Sequence, residues 1–476
     1  MSKDGTLQTD DLRRALGPIQ LVCLGIGAII GVGIFVLTGQ AAAESAGPAI
    51  VLSFVIAAIA CALAGLCYAE LASMMPRSGS AYTYSYAAFG GFAGWLVGWI
   101  LILEYLAAAG AVSVGWSAYF GATLQSAFGL SLPAEFASAP IAVTQDGATV
   151  LTGAIFNVPA ALIVLTLSVL LLVGVRISAA VNNLMVCLKL SVVIAVIAFG
   201  LPHINVVNLQ PFIPENAGKF GEFGVSGILQ GAGIIFFAYI GFDFVSGAAQ
   251  EARNPQRDMP IGILGSLAIC TVLYVLMALT ITGLVSYKEL GVANPMSVAL
   301  GAGGPELAWL LNAVNVAAVV ALTTVILVLI YGQTRIFHAM ASDGLIPILF
   351  SRVHPTFKTP WLGTLATGAA AAVLGGFFDI KFLSDLVNMG TLVAFIFVCI
   401  AVLVLRGTRP TASRPFKVPA VRFVSISGVL VCAALLATFG FDSWLRFGGW
   451  VAIGVIAYLL YGARRAGAGK LGVARV

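Results

Sequence analysis

Three ionisable residues fall inside long apolar runs: Glu104 in the run 91–121, Lys189 in 181–202 and Asp243 in 224–250. A charge at the centre of a bilayer costs about 2.5–3.5 kcal/mol, so each needs a partner or a task. Burial of an ammonium favours the neutral amine, which would let Lys189 exchange a proton; a lysine held charged by bonds to carbonyls is the structural alternative. The hydroxyls of Thr323 and Thr324, with carbonyls freed near Gly27 and Ala28, are its expected acceptors. Asp243 can cap a half-helix by accepting from free N–H groups, contact a solute, or do both. Glu104 has no Gly or Pro close by to open a helix end, which leaves solute contact or an internal ion pair.

Two glycine-rich stretches accompany these charges, one of them directly before Asp243. Gly25, Gly27, Gly31 and Gly33 crowd nine positions of the run 17–43, and Gly231, Gly233 and Gly241 precede Asp243 in the run 224–250. An interior Gly costs about 0.5–1 kcal/mol relative to Ala in a helix. Close packing of Gly27 and Gly31 against another helix would explain one such stretch. A matching pair is better explained by two helices unwound at mid-membrane, with freed backbone groups holding a solute. If the first run points outward, N–H groups near Val32, Gly33 and Ile34 open its outer half and suit a carboxylate. Carbonyls near Gly27–Ile30 and Phe237–Ile240 suit an ammonium. Together they describe an α-amino acid zwitterion whose side chain points toward spans 3, 6 and 8, where Glu104 and Asp243 would favour or tolerate a positive charge.

The rest of the composition sets the frame. With 60% hydrophobic and 9% charged residues among 476, and a mean hydropathy of +1.04, the chain is an all-α integral membrane protein. Apolar runs long enough to span a bilayer occupy 17–43, 48–75, 91–121, 156–175, 181–202, 224–250, 261–286, 306–339, 361–378, 382–405, 422–440 and 446–462. Twelve spans place both termini on one side. With that side cytoplasmic, 19 of the 24 Lys and Arg residues lie at inner ends and loops, among them Arg77, Arg176, Arg253, Arg335, Lys358 and Arg406. Only Lys219, Lys288, Lys381 and Arg446 lie outside. This asymmetry orients the chain in the cell (inner) membrane, N- and C-termini inside. The basic residues serve topology, and no nucleic-acid site is read in them. The seven Cys read as apolar packing residues, and the three His are too scattered for a metal site.

The spans divide into a tail 1–16, a core 17–405 and a C-terminal part 406–476. Within the core, spans 1–5 and 6–10 each open on a glycine-rich break, and their odd number inserts them in opposite orientations. Spans 11 and 12 lie outside this repeat and read as packing or dimer helices. The polar loop Glu70–Ser80 leads to Tyr82, Tyr84, Tyr86 and Phe89, expected at the membrane interface. The charged stretch Gln250–Pro260 is expected to stop helices through its two prolines.

Three blocks carry a resemblance: Gly27–Phe35, Phe236–Asp243 with its tail to Pro260, and Tyr331–Pro347. They resemble the amino acid–polyamine–organocation (APC) superfamily, and within it the bacterial form of the cationic amino acid transporter branch. The resemblance implies a LeuT-like 5+5 inverted repeat with broken helices 1 and 6, two extra C-terminal helices, and alternating access. It implies substrate held by backbone around Ile29, Gly31 and Gly33 and around Phe237, Ala238 and Ile240. Asp243 and Glu104 match acidic positions of that branch, and Lys189 matches a lysine standing where sodium-coupled members hold their ion. Where relatives often carry Ser or Thr between two glycines this chain has Val32, so backbone N–H groups must hold the carboxylate.

The expected function is secondary active transport of L-amino acids, cationic or small neutral, by proton-coupled symport; exchange of amino acids or polyamines through the same site is the alternative. No enzyme chemistry and no cofactor beyond the coupling proton are expected. The partners are the solute and the lipid bilayer; a small membrane subunit or a homodimer is left open.

Overall fold

The computed structural model describes residues 16–75, 79–144, 147–174, 179–247, 252–352, 354, 356–357 and 359–462, with backbone alone for 179–182 and 247. The tail before Leu16, Arg77, Arg176, Gln250, Glu251, Lys358 and the basic tail after Gly462 lie outside the described residues.

The described chain is helical apart from one small hairpin. Among the described residues, eight helical segments are long and apolar enough to cross a membrane, and Pro18–Ile29, Val158–Val173, Trp361–Phe377 and Val421–Leu436 are shorter apolar helices. Helix α1 (Pro18–Ile29) starts with Pro at its first position, where a missing N–H costs nothing. It stops at Ile30, which is extended, with φ −71° and ψ 102°. The chain resumes as a wide turn, Gly33–Leu37, followed by α2 (Thr38–Ala41) and a second wide turn, Ala42–Ala46. Next come α3 (Ile50–Met74), α4 (Ser80–Phe89), the long α5 (Gly91–Phe128) and a short α6 (Ala134–Ala137). Strands β1 (Ile141–Val143) and β2 (Thr149–Leu151) pair antiparallel and mark one side of the bundle.

Helices α7 (Val158–Val173) and α8 (Ala179–Gly200) follow, then the second broken helix. It consists of α9 (Gly224–Ile235), a tight turn at Phe236–Tyr239, extended Ile240, and α10 (Phe242–Gly247). The remaining helices are α11 (Pro255–Leu284), α12 (Pro295–Ala302), α13 (Ala308–Ser342), α14 (Trp361–Phe377), α15 (Ile380–Thr408), α16 (Val421–Leu436) and α17 (Phe441–Ala457). In space α5 packs along α13 and α15, and α11 lies against both α1 and α3.

Two local expectations are corrected. From Pro255 onward the stretch to Pro260 is helical: α11 starts at Pro255, and Pro260 sits inside it. Pro255 occupies the first helical position, and Pro260 removes only one N–H in the second turn. Tyr82 and Tyr84 are not interfacial; both are fully buried, and the Tyr82 hydroxyl donates to Asp343 Oδ2 at 2.6 Å, tying α4 to the end of α13.

Two anchors hold the frame. Glu70, buried at the end of α3, accepts from Arg406 Nε at 3.0 Å and Nη2 at 2.6 Å and from the Val418 N–H at 2.7 Å, with Arg414 Nε 3.5 Å away. Helix α17 is clamped to α5 by indoles: Trp95 donates to the Gly454 carbonyl, while Trp99 and Trp450 donate to each other's carbonyls at 2.9 and 3.0 Å.

Candidate functional site

The two breaks meet. A Cβ placed on Gly33 would lie 2.3 Å from Ala238 Cα, so only glycine lets the turn Phe236–Tyr239 approach this closely. Gly241 has φ +128°, and a Cβ there would come within 2.8 Å of the Ala28 carbonyl carbon. Each glycine therefore fits the backbone of the other broken helix.

The backbone groups at this junction are unlike at the two ends. Phe35 N bonds Gly31 O at 3.4 Å. The N–H groups ahead of Phe35, on Gly31 to Ile34, open a helical segment and have no acceptor within it. On the other side, carbonyls end α1. The Tyr274 hydroxyl of α11 lies 2.9 Å from Ile29 O and 2.8 Å from Ala238 O, one from each break. A hydroxyl has one proton, so it satisfies one of these carbonyls at a time.

Lys189 reaches the same junction from α8. Its Nζ donates to Gly27 O at 3.0 Å and Ile30 O at 3.3 Å, and its side chain is fully buried. The threonines expected as its acceptors bond other partners. Thr323 accepts from Trp116 Nε1 at 2.9 Å and donates to Val319 O, and Thr324 donates to Ala321 O. Both hydroxyls turn back on their own helix, as threonines in apolar helices do when a carbonyl one turn earlier is free to accept.

Between the breaks lies a cavity with about 30 Å³ of room for the centre of a water-sized sphere. One wall is backbone-rich: Ala28, Ile29, Gly31, Val32 and Gly33, with Phe237 and Ile240 opposite. The other end is apolar side chain: Ala108 and Val112 of α5, Phe244 of α10, and Val325, Val328 and Leu329 of α13. The arrangement offers donors and acceptors for a small polar head and an apolar sleeve for what the head carries.

The family model for amino acid permeases matches residues 16–459. The chain belongs to the amino acid permease family. It is thus an APC-superfamily membrane protein and a transporter, outside the enzyme classes. The permease is 44% identical to the branched-chain amino acid permease BcaP of Bacillus subtilis (strain 168) over 451 residues, 94% of this chain and 93% of the relative. It is 42% identical to the methylthioribose transporter of the same organism over 454 residues, 95% and 94% of the two chains. It is 38% identical to the vacuolar cationic amino acid transporter 4 of Arabidopsis thaliana over 401 residues, 84% of this chain and 64% of the relative. These names give three different solutes, so specificity in the permease has to be argued from its own cavity.

The two acids of the permease do not line that cavity. Asp243 Oδ1 accepts from the Gly241 N–H at 3.2 Å and caps the start of α10. Glu104 stands one turn from Ala108 on α5, buried, with Oε2 unpaired. Phe244, which lines the cavity, packs edge to face against Tyr105, the chain neighbour of Glu104, with centroids 5.1 Å apart. Sequence reasoning missed Tyr274 and the apolar sleeve. Ala108 and Val112, and Val325 with Leu329, are spaced one helical turn apart, but so are many packing residues, and a tyrosine in an apolar helix carries no mark of its partner.

Proposed function

We propose that this permease is a proton-coupled symporter of L-amino acids with apolar, including branched, side chains in the cell membrane. It would have twelve spans, a 5+5 inverted repeat with the two broken helices as first members, two extra C-terminal helices and both termini inside. The concentration of basic residues on one side of the chain supports that orientation. The observation that carries the substrate reading is the cavity itself: backbone groups of opposite polarity at one end, and Ala108, Val112, Phe244, Val325, Val328 and Leu329 at the other.

In this reading the solute carboxylate bonds the N–H groups of Gly31 to Ile34, favoured by the positive end of the outer half-helix. The ammonium bonds carbonyls near Ala28, Ile29, Phe237 and Ala238, with the Tyr274 hydroxyl sharing its proton between the breaks. Val32 offers no hydroxyl, so the carboxylate contact is made by backbone alone. A cationic side chain would enter an apolar sleeve, where an unpaired ion costs several kcal/mol. Placement in the cationic amino acid transporter branch is consistent with this, because the family relationship lies in the backbone breaks and the specificity in the sleeve.

The proton would act through Lys189. As an ammonium it holds two carbonyls of the inner half of span 1; as an amine it holds them less strongly, since charge-assisted bonds are about twice as strong as neutral ones. Protonation thereby biases the position of that half-helix. The test is uptake of leucine by proteoliposomes under an inward proton gradient, with wild type and Lys189→Gln. Wild type should accumulate leucine and the variant should not. Accumulation by the variant removes Lys189 from the coupling, and uptake that ignores the gradient but requires internal amino acid replaces symport with exchange.

A further inference from the structure

We propose that protons reach Glu104 by a route of their own, along one face of α15, without crossing the solute cavity. Lys381, Asp385, Asn388 and Thr391 follow one another at spacings of four, three and three residues. That spacing keeps them on one side of the helix over three turns. Asp385, Asn388 and Thr391 are all buried. Four polar side chains in file on the inner face of an otherwise apolar helix are not needed for packing.

The file begins in a chamber of about 370 Å³ on the side of the bundle marked by the hairpin. Its lining includes Glu44, Lys219, Glu222, Lys381, Asp385 and Ser443. This is polar and ample for water, which needs only about 10–15 Å³ on the same measure. Lys381 pairs with Glu44 at 2.6 Å, and the Ser443 hydroxyl donates to Asp385 Oδ2 at 2.9 Å. Lys381, Arg446 and Asp379 are the other charges acting on Asp385.

Ile234 also lines the chamber, and its carbonyl accepts from Asn388 Nδ2 at 3.0 Å, which places Asn388 just beneath. Asn388 Oδ1 is buried without a partner. One turn further, the Thr391 hydroxyl lies beside the Glu104 carboxylate, whose Oε2 also lacks a partner. The two helices are in contact here: a Cβ on Gly390 of α15 would stand 3.7 Å from Glu104 Cβ, an ordinary packing distance. Asp243 from α10, Tyr68 from α3 and Tyr105 on α5 are the other titratable groups facing Glu104. An unpaired buried acceptor costs about 1–3 kcal/mol, and Asn388 Oδ1 on α15 and Glu104 Oε2 on α5 are two such groups at the inner end of the file; water between them would relieve both.

The transfer is a relay of one proton. The Asp385 carboxylate takes it from chamber water, water at Asn388 Oδ1 and Thr391 passes it on, and Glu104 Oε2 receives it. None of Asp385, Asn388, Thr391 or Glu104 lines the solute cavity, so a proton arrives whether or not solute is bound. The route rests on the proton-coupled reading above, to which it adds Glu104 as a second proton-carrying group beside Lys189, and on its orientation, which makes the chamber outward-facing.

Asn388→Leu keeps the approximate shape and removes the amide, whereas Asn388→Ser keeps a polar group and leaves room for water. In proteoliposomes, Asn388→Leu should slow leucine uptake driven by a proton gradient at least tenfold, leave leucine counterflow at equal pH within twofold of wild type, and be rescued by Asn388→Ser. Wild-type gradient-driven uptake by Asn388→Leu overturns the route, as does equal loss of both processes in both variants. If wild type itself performs counterflow but ignores the gradient, the coupled reading fails and the route falls with it.

Discussion

Gly33→Ala probes the contact that brings the two breaks together. The added Cβ would lie 2.3 Å from Ala238 Cα, 2.4 Å from Ala238 Cβ and 3.1 Å from Ala238 N. Carbon atoms pack at about 3.5–4.0 Å, so the methyl group is short of room by more than an ångström. The atoms it meets are backbone and a methyl with no rotamer to turn, so the helical segment after the first break and the turn Phe236–Tyr239 must separate. Overpacking of this kind costs about 1–3 kcal/mol. If solute binding requires the halves in register, affinity falls by roughly 5- to 140-fold at 1.4 kcal/mol per decade. The assay is saturation binding of labelled leucine to purified protein, with Gly121→Ala as control. Gly121 lies in α5 with nothing within 4 Å of an added Cβ, so that substitution should bind as wild type. A folded, monodisperse Gly33→Ala protein that binds leucine within twofold of wild type would refute the reasoning.

Two further outcomes are expected. Tyr274→Phe removes the hydroxyl that bridges Ile29 O and Ala238 O, and at about 1 kcal/mol for a neutral hydrogen bond it should raise the KM for leucine roughly fivefold while the protein stays folded; an unchanged KM would show that the bridge does not shape the site. Glu70→Ala leaves two guanidinium groups without their shared carboxylate and should cost about 3–5 kcal/mol, seen as a clear drop in thermal unfolding temperature in detergent; unaltered unfolding would mean that the Arg406 and Arg414 contacts contribute nothing net.

Much of this arrangement is legible in the amino acids, for reasons that can be named. Gly33 and Gly241 stand out because two glycine-rich stretches recur in apolar runs where each interior glycine is costly, and each turns out to face backbone of the other broken helix. Lys189 and Glu104 stand out because burying a charge is costly. What sequence hides is direction. Thr323 and Thr324 lie on the right helix, but their hydroxyls bond within it and to Trp116. Tyr274 resembles any packing aromatic until its hydroxyl is placed between two carbonyls. Tyr82 and Tyr84 look interfacial from their polarity, yet α4 folds them into the core. Glu104 and Asp243 suggest a cationic solute by their charge, yet neither lines the cavity between the breaks.

That last point makes solute selectivity the measurement closest to the central claim. Displacement of labelled leucine from the purified permease by a panel of amino acids reads the sleeve directly. Valine, isoleucine and leucine should compete strongly. Alanine should compete at least tenfold more weakly, because each missing methylene in an apolar pocket is worth about 1–3 kcal/mol. Arginine and lysine should not compete at equal concentration. Displacement by arginine as effective as by leucine would contradict the account, because it would place Glu104 or Asp243 in contact with the solute side chain.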